Sequence, residues 1–316
     1  MKFSIIIPVY NVEQYLEKCL LSVVEQNYHD YEIIIVIDGA TDGSQEIAEN
    51  IKKRYPEKNI QIICQENKGL GGARNTGMQY ASGDYWLFVD SDDYIAPQTL
   101  QAMMNHMETN NCDIVCCGYT MDYRFGALYR KVETKKVMTK QEALHSLAEN
   151  KGMNNYPWGK LYKKKCFSNV SFPEFMRGFE DTYTVFKALC NADTIGCITK
   201  RYYHYVQHQG SLTHRMNLET AYDMRKAYEY QESCLRRWYP EEDFHFDVHL
   251  VNSDFVILYT IFAYYTKKDD PQFVPAAINW KKVNPFVHVA YELCRGICSL
   301  RFGWAKTKTQ EFNKWL

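Results

Sequence analysis

The chain has 316 residues, 46% of them apolar, and carries 37 basic against 38 acidic side chains. That length suits one large domain or two smaller ones with a packed core, and the near-neutral charge gives no electrostatic reason to invoke nucleic acid. Eleven cysteines without regular spacing make no disulfide framework, so a reducing cytoplasm is the expected setting.

The opening MKFSIIIPVYN has too short an apolar core for a signal peptide, and Pro8 and Asn11 interrupt it. No run of about 18 apolar residues predicts a membrane span. Residues 3–8 read as a buried strand. Residues 12–26 read as an amphipathic helix, with Val12, Tyr15, Leu16, Cys19, Leu20 and Val23 on one face and Asn11 as N-cap. Strands at 32–37, 60–65 and 85–89 alternate with helices at 42–54 and 71–81. Pro97 opens a further helix to about 108. This alternation predicts a parallel sheet covered on both faces, and runs such as EIIIVI fit strands buried on both sides. Beyond 110 the reading is a strand at 113–119, helices at 140–149 and 181–190, a Tyr-rich strand at 198–205, and mostly helix from 217. The Cys112, Cys116 and Cys117 thiols of CDIVCCGY read as strand residues, since no second CxxC or HxxxH completes a zinc site.

Ligands of open α/β sheets bind beyond the carboxyl ends of the strands. Here those ends are Pro8-Val9-Tyr10, Asp38-Gly39, residues 67–72 and residues 90–93. In WLFVDSDDY three carboxylates crowd four positions. A shared cation would reconcile them, and Asp90-Ser91-Asp92 could grip Mn²⁺ or Mg²⁺; a solvated acidic turn is the alternative. Asp38 could accept a hydrogen bond from a base N–H such as that of uracil, while Asp42 reads as a helix cap. ENKGLGGARNTG is neither a Walker loop nor a dinucleotide fingerprint. Gly71, Gly72 and Ala73 allow close approach of a backbone or a ligand. Arg74 near a helix N-terminus favours a diphosphate, with a surface arginine as the alternative.

The ordered set SIIIPVYN, IDGATDGS, NKGLGGARNTG and VDSDD resembles the family 2 (GT2) inverting glycosyltransferases of GT-A fold, of the bacterial polysaccharide-assembly type. The likeness continues more loosely through YPWGKLY and GFEDTY. It implies a Rossmann-like α/β sheet, mostly parallel and flanked by helices. The division implied is a catalytic domain over 1–215, with a nucleotide-sugar half at 1–110 and an acceptor half at 111–215, then a helical extension at 216–316. It further implies an inverting transfer of a sugar from a nucleotide-diphosphate donor, UDP-linked, to a glycan or lipid-linked saccharide in surface polysaccharide synthesis.

By the same resemblance Pro8 and Tyr10 lie beside the nucleotide, Asp38 reads the base, Arg74 stands near the donor, and Asp90, Ser91 and Asp92 form the DxD turn. Asp92 is the direct ligand of Mn²⁺ or Mg²⁺, with Asp90 beside it. Glu180-Asp181 matches the acidic pair whose aspartate is the general base, although Asp181 also reads as a helix cap. Trp158 and Lys160 match the acceptor side, and a buried core tryptophan is the alternative reading. His208 and Ser211 fall in a late loop that would close over the diphosphate. One departure is Ile37, where many members carry a second acid. A non-catalytic nucleotide-sugar-binding module and a sugar nucleotidyltransferase are the competing readings. The latter lacks a basic triphosphate loop near the N-terminus. Residues 281–316 hold seven Lys/Arg against two Glu, with Phe286, Val289, Ala290, Leu293, Ile297 and Leu300 on one helical face. That pattern fits peripheral contact with the inner face of the plasma membrane or packing on the catalytic domain.

Overall fold

The computed structural model describes residues 2–129, 133–174, 176, 178–208, 217–269 and 271–304; Ser211 lies outside them. The chain begins with β1 (Phe3–Val9), α1 (Glu13–Val24), β2 (Tyr31–Asp38), α2 (Ser44–Arg54), β3 (Asn59–Gln65), α3 (Gly69–Tyr80) and β4 (Tyr85–Phe88). There follow β5 (Tyr94–Ile95), α4 (Thr99–Thr109), β6 (Ile114–Tyr123), β7 (Gly126–Tyr129), β8 (Val137–Thr139), α5 (Lys140–Ala148), β9 (Lys160–Lys163), α6 (Val185–Cys190) and β10 (Thr194–Val206). The described C-terminal part is helical: α7 (Leu218–Trp238), α8 (Asp247–Tyr264) and α9 (Pro285–Phe302).

The strands form one sheet in the order β3-β2-β1-β4-β9-β6-β10-β5, with β7 on β6 and β8 on β10. β3, β2, β1 and β4 are mutually parallel, so their carboxyl ends share one edge. β9 runs antiparallel between β4 and β6, while β10 lies parallel to β6. Residues 1–110 and 111–206 thus contribute to a single continuous sheet. The architecture is a mostly parallel mixed sheet with flanking helices and a helical C-terminal part.

Strand alternation sends Ile5, Ile7, Ile33 and Ile35 to one face, where they pack with Leu16, Leu20 and Val23 of α1, Ala48 and Ile51 of α2, and Leu100 and Met103 of α4. α3 covers the other face. A Cβ at Gly77 would stand 2.3 Å from the Ile6 side chain, so this glycine sets the depth of helix–sheet packing. The chain divides into two compact units, residues 1–147 with 151–211 and residues 148–150 with 212–316. In the second unit α7, α8 and α9 pack through Ala221, Ile257, Leu258, Ile261, Tyr291 and Cys298. There the buried Asp254 accepts hydrogen bonds from Arg225, Tyr291 and the Ala276 amide. No helix among the described residues is long and apolar enough to cross a membrane.

Two expected caps are replaced. Asn11 does not cap α1; its backbone is left-handed at φ +50°, and its side chain accepts from the Thr41 amide instead. Asp42 serves two helices at once, accepting from the Glu13 amide that starts α1 and the Ser44 amide that starts α2.

Glu32 of β2 is buried and accepts from Ser4, from the Ser82 amide and hydroxyl, and from Lys2 at 2.8 Å. Burial alone would push its carboxyl up, but these bonds outweigh burial and hold it down at about 2. The stability they contribute is complete above the ordinary carboxyl value of 4.5 and is lost as pH falls towards 2. Glu32→Gln therefore lowers stability at pH 7 by about 1–3 kcal/mol, and urea titrations show the gap closing as pH falls through this window.

Candidate active site

β4 runs through Val89 into Asp90, Ser91, Asp92 and Asp93, at the sheet edge shared by the ends of β1, β2 and β3. Each carboxylate has its own partner. Asp90 Oδ1 takes Arg74 Nη2 at 2.8 Å, and Asp92 Oδ2 lies 2.9 Å from His208 Nε2. Asp93 is buried and accepts from the Tyr203 hydroxyl at 2.6 Å and the Val206 amide at 2.8 Å. Burial, then the neighbouring Asp92 and Asp90, pushes the Asp93 carboxyl well up; burial also pushes Asp90 up. These partners share out the charge of the three neighbouring acids within the protein. Ser91 is buried within the turn.

Two aromatic contacts brace this loop. Tyr203 accepts from the Asp90 amide, and His208 stacks on Tyr15 of α1 with centroids 4.2 Å apart. The sequence reading places Tyr15 only on the apolar face of a helix and does not name Tyr203. The only signal was the Tyr-rich run of β10, and nothing in spacing pairs residue 15 with residue 208.

Arg74 departs from both of its expected positions. It is neither on the surface nor free to face a phosphate: it is 1% exposed, with Nη2 on Asp90 and Nη1 on Glu180 Oε1 at 2.5 Å. Its Nε has no hydrogen-bond partner among the described residues. Burial works against the guanidinium charge, and the two acids outweigh it. The glycines around it receive chain rather than ligand. A Cβ at Gly71 would stand 2.3 Å from the Pro173 carbonyl oxygen. Asn75 bonds both the amide and the carbonyl of Phe172, as a neighbouring strand would.

The clamp on Glu180 brings Asp181 towards the aspartate loop. Asp181 does not open a helix, because α6 starts four residues later behind Thr184. It sits in a turn behind Phe179, whose φ of +63° is costly for a bulky residue. Asp181 Oδ1 accepts from the Thr182 amide and hydroxyl, and Oδ2 makes no hydrogen bond among the described residues. Burial first, and then the Glu180 charge, pushes the Asp181 carboxyl up to about 7, against the opposing pull of Arg74.

The remaining expected residues divide. Asp38 is buried at the end of β2, and its Oδ1 accepts from Gln65 Nε2 and the Lys68 amide. Gly39 beside it needs its φ of +70°, and a Cβ there would stand 2.9 Å from the Asn67 amide nitrogen. Pro8 is buried within β1, whereas Tyr10 is exposed just past its end. Trp158 has no open face for a sugar: Tyr156 and Tyr203 each stack on it at 4.3 Å. Lys160 is likewise buried, donating to Asn154 Oδ1 and the Tyr156 carbonyl. Both belong to the packing behind the loop.

Among the described residues no three His, Cys, Asp or Glu side chains form a metal cage. Asp92 Oδ2 and His208 Nε2 supply one oxygen and one nitrogen donor side by side. That pair fits a divalent cation that takes its other ligands from a diphosphate and water.

The mostly parallel sheet, its aspartate turn and the Arg74 clamp on Glu180 define an α/β fold that the comparisons identify as GT-A. The Glycosyl transferase family 2 model matches residues 4–171, and the chain belongs to that family. It is 38% identical over 216 residues to the uncharacterized glycosyltransferase EpsJ of Bacillus subtilis, covering 66% of this chain and 62% of that one. It is 35% identical over 221 residues to the glycosyltransferase GlyA of Streptococcus pneumoniae, covering 67% of this chain and 31% of the relative. The chain thus spans less than two thirds of either relative. Among solved structures it resembles residues 1–349 of S. aureus TarS in complex with UDP-GlcNAc, at TM-score 0.64 and 22% identity over 99% of this chain and 97% of that one. It also resembles the mannosyltransferase PcManGT of Pyrobaculum calidifontis in complex with GDP-Man and Mn²⁺, at TM-score 0.55 and 14% identity over 96% of this chain and 88% of that one.

Proposed function

We propose that the protein transfers one sugar, with inversion, from a UDP-sugar to a saccharide or lipid-linked acceptor at the cytoplasmic face of the plasma membrane, in surface polysaccharide assembly. The observation that carries this reading is the Arg74 clamp, which ties the aspartate turn after β4 to the Glu180-Asp181 turn. Donor-binding and proton-accepting groups thereby share one support. The UDP-GlcNAc complex of the TarS neighbour favours a uridine donor.

In this reading the nucleotide lies along the strand ends, with Asp38 Oδ2 facing the base and Pro8 and Tyr10 beside it. Asp92 and His208 would hold Mn²⁺ or Mg²⁺, which when bound supplies positive charge against the diphosphate. Asp90 and Arg74 position the turn rather than touch the donor. An acceptor hydroxyl attacks the anomeric carbon from the face opposite the diphosphate. Asp181 Oδ2 takes its proton as the new C–O bond forms, and the bond to the diphosphate oxygen breaks to release UDP. Residues 1–110 carry the donor side, and residues 111–215 the acceptor side.

Calorimetry of UDP with and without Mn²⁺ tests the donor half. We expect Mn²⁺-dependent binding that Asp92→Asn abolishes while the melting temperature stays unchanged. Equal UDP affinity in the variant removes Asp92 from the site, and a preference for GDP or dTDP removes the uridine assignment.

A further inference from the structure

α9 is apolar on two faces, and its neighbours in the fold use only one. Tyr291 and Cys298 are buried against the second unit's core. Phe286, Val289, Leu293, Ile297 and Leu300 are all exposed, from 54% at Ile297 to 85% at Leu300. At 3.6 residues per turn these five side chains fall within an arc of roughly 80°, well away from the buried face. A helix packed on one side has no reason of stability to carry such a stripe on the other. The stripe does not end at α9. Tyr259 and Phe262 of α8 are exposed too, and the Arg301 guanidinium sits 4.4 Å from the Phe262 ring. Arg301 also donates to the Tyr265 carbonyl, so the aromatic part of α8 adjoins the C-terminal end of the α9 stripe.

Charge identifies the occupant. Lys281, Lys282, Arg295 and Arg301 stand in and just before α9; Arg295 pairs with Glu292 at 3.0 Å and Lys282 lies 4.0 Å from Asp243, which leaves the segment net positive through Lys281 and Arg301. Two copies placed stripe to stripe would bring like charges together, whereas an anionic surface attracts them. No described helix can span a bilayer. Aromatic rings beside an aliphatic stripe, on a segment with net positive charge, suit the headgroup boundary.

We infer that the α9 stripe, extended by Tyr259 and Phe262, seats the protein flat on an anionic lipid bilayer. The inference deepens the lipid-linked acceptor reading and takes its purpose from it, but the surface is tested without transfer chemistry. The full chain is sedimented with vesicles of phosphatidylcholine alone or mixed equally with phosphatidylglycerol, at low and high salt. The expected result is pelleting with the anionic vesicles, weakened by salt and reduced at least about tenfold in Leu293→Glu/Ile297→Glu. Leu293→Ser/Ile297→Ser reads the same surface should the charged pair disturb folding, and circular dichroism checks both. Wild-type protein that stays in the supernatant with anionic vesicles overturns the inference. A wild-type dimer in sedimentation velocity that the variants dissolve, without vesicle binding, overturns it in favour of a second copy. UDP binding by the wild-type protein separates this outcome from the donor reading: its absence defeats that reading and leaves the membrane surface standing.

Discussion

Asp181→Asn binds UDP in the presence of Mn²⁺ as tightly as the parent and transfers sugar at least ~10²-fold more slowly. Asn keeps the shape of the turn and the bond from the Thr182 amide but cannot take a proton. The pH profile adds a signature that a structural role would not. Burial and the Glu180 charge raise the Asp181 carboxyl to about 7, so it is protonated below that point and cannot act as a base. Parental transfer therefore rises through pH 7, and the residual activity of the variant does not. The same shift has a stability sign. A carboxyl raised in the folded state stabilises below its ordinary value of 3.8 and loses that contribution as pH rises through about 7. Asp181→Asn should thus melt no lower than the parent at pH 8, and higher if the charge is as uncomfortable there as its surroundings imply. Full transfer activity in the variant would move the base elsewhere. A protein that binds donor but never transfers, with or without Asp181, would be the non-catalytic module.

Arg74→Met is expected to lower stability by about 3–5 kcal/mol in urea titrations, because it leaves two largely buried carboxylates facing each other without their shared cation. Arg74→Lys recovers little, since one ammonium cannot reach Asp90 and Glu180 with two separate nitrogens. Neutralising the acids as well, in Arg74→Met/Asp90→Asn/Glu180→Gln, should restore part of the loss. A stability unchanged in Arg74→Met would mean that the clamp is not what joins the two turns.

The first half of the fold was legible because β1 and β2 are buried on both faces and read as the apolar runs FSIIIPV and YEIIIVID. Helix α3 was legible despite its glycines, whose purpose was half seen: they admit a backbone, that of Pro173. β9 was not legible. It is four residues long and carries a buried lysine, and its antiparallel place between β4 and β6 depends on partners far away in sequence. The start of α6 was misread because TYTVFKAL has helical periodicity from its first residue. The left-handed Phe179 that turns the chain there leaves no trace in composition. In the candidate site the identities of the acids were readable, but their partners were not. Arg74 meets Glu180 across 106 positions and Asp92 meets His208 across 116, and only the folded sheet brings them together.

Asn75 and Gly71 give the segment before Asp181 a consequence of its own. Phe172 is bonded to Asn75 through both amide and carbonyl, Pro173 rests in the space a side chain at Gly71 would fill, and Glu180 is fastened to Arg74. All three anchors lie on one helix, α3. The chain leading to the acid pair is therefore held at both ends, and a shift of either end would disturb the helix beneath it. Variation between members of the family should therefore spare Phe172, Pro173 and Glu180, the points at which α3 holds this stretch of chain in place.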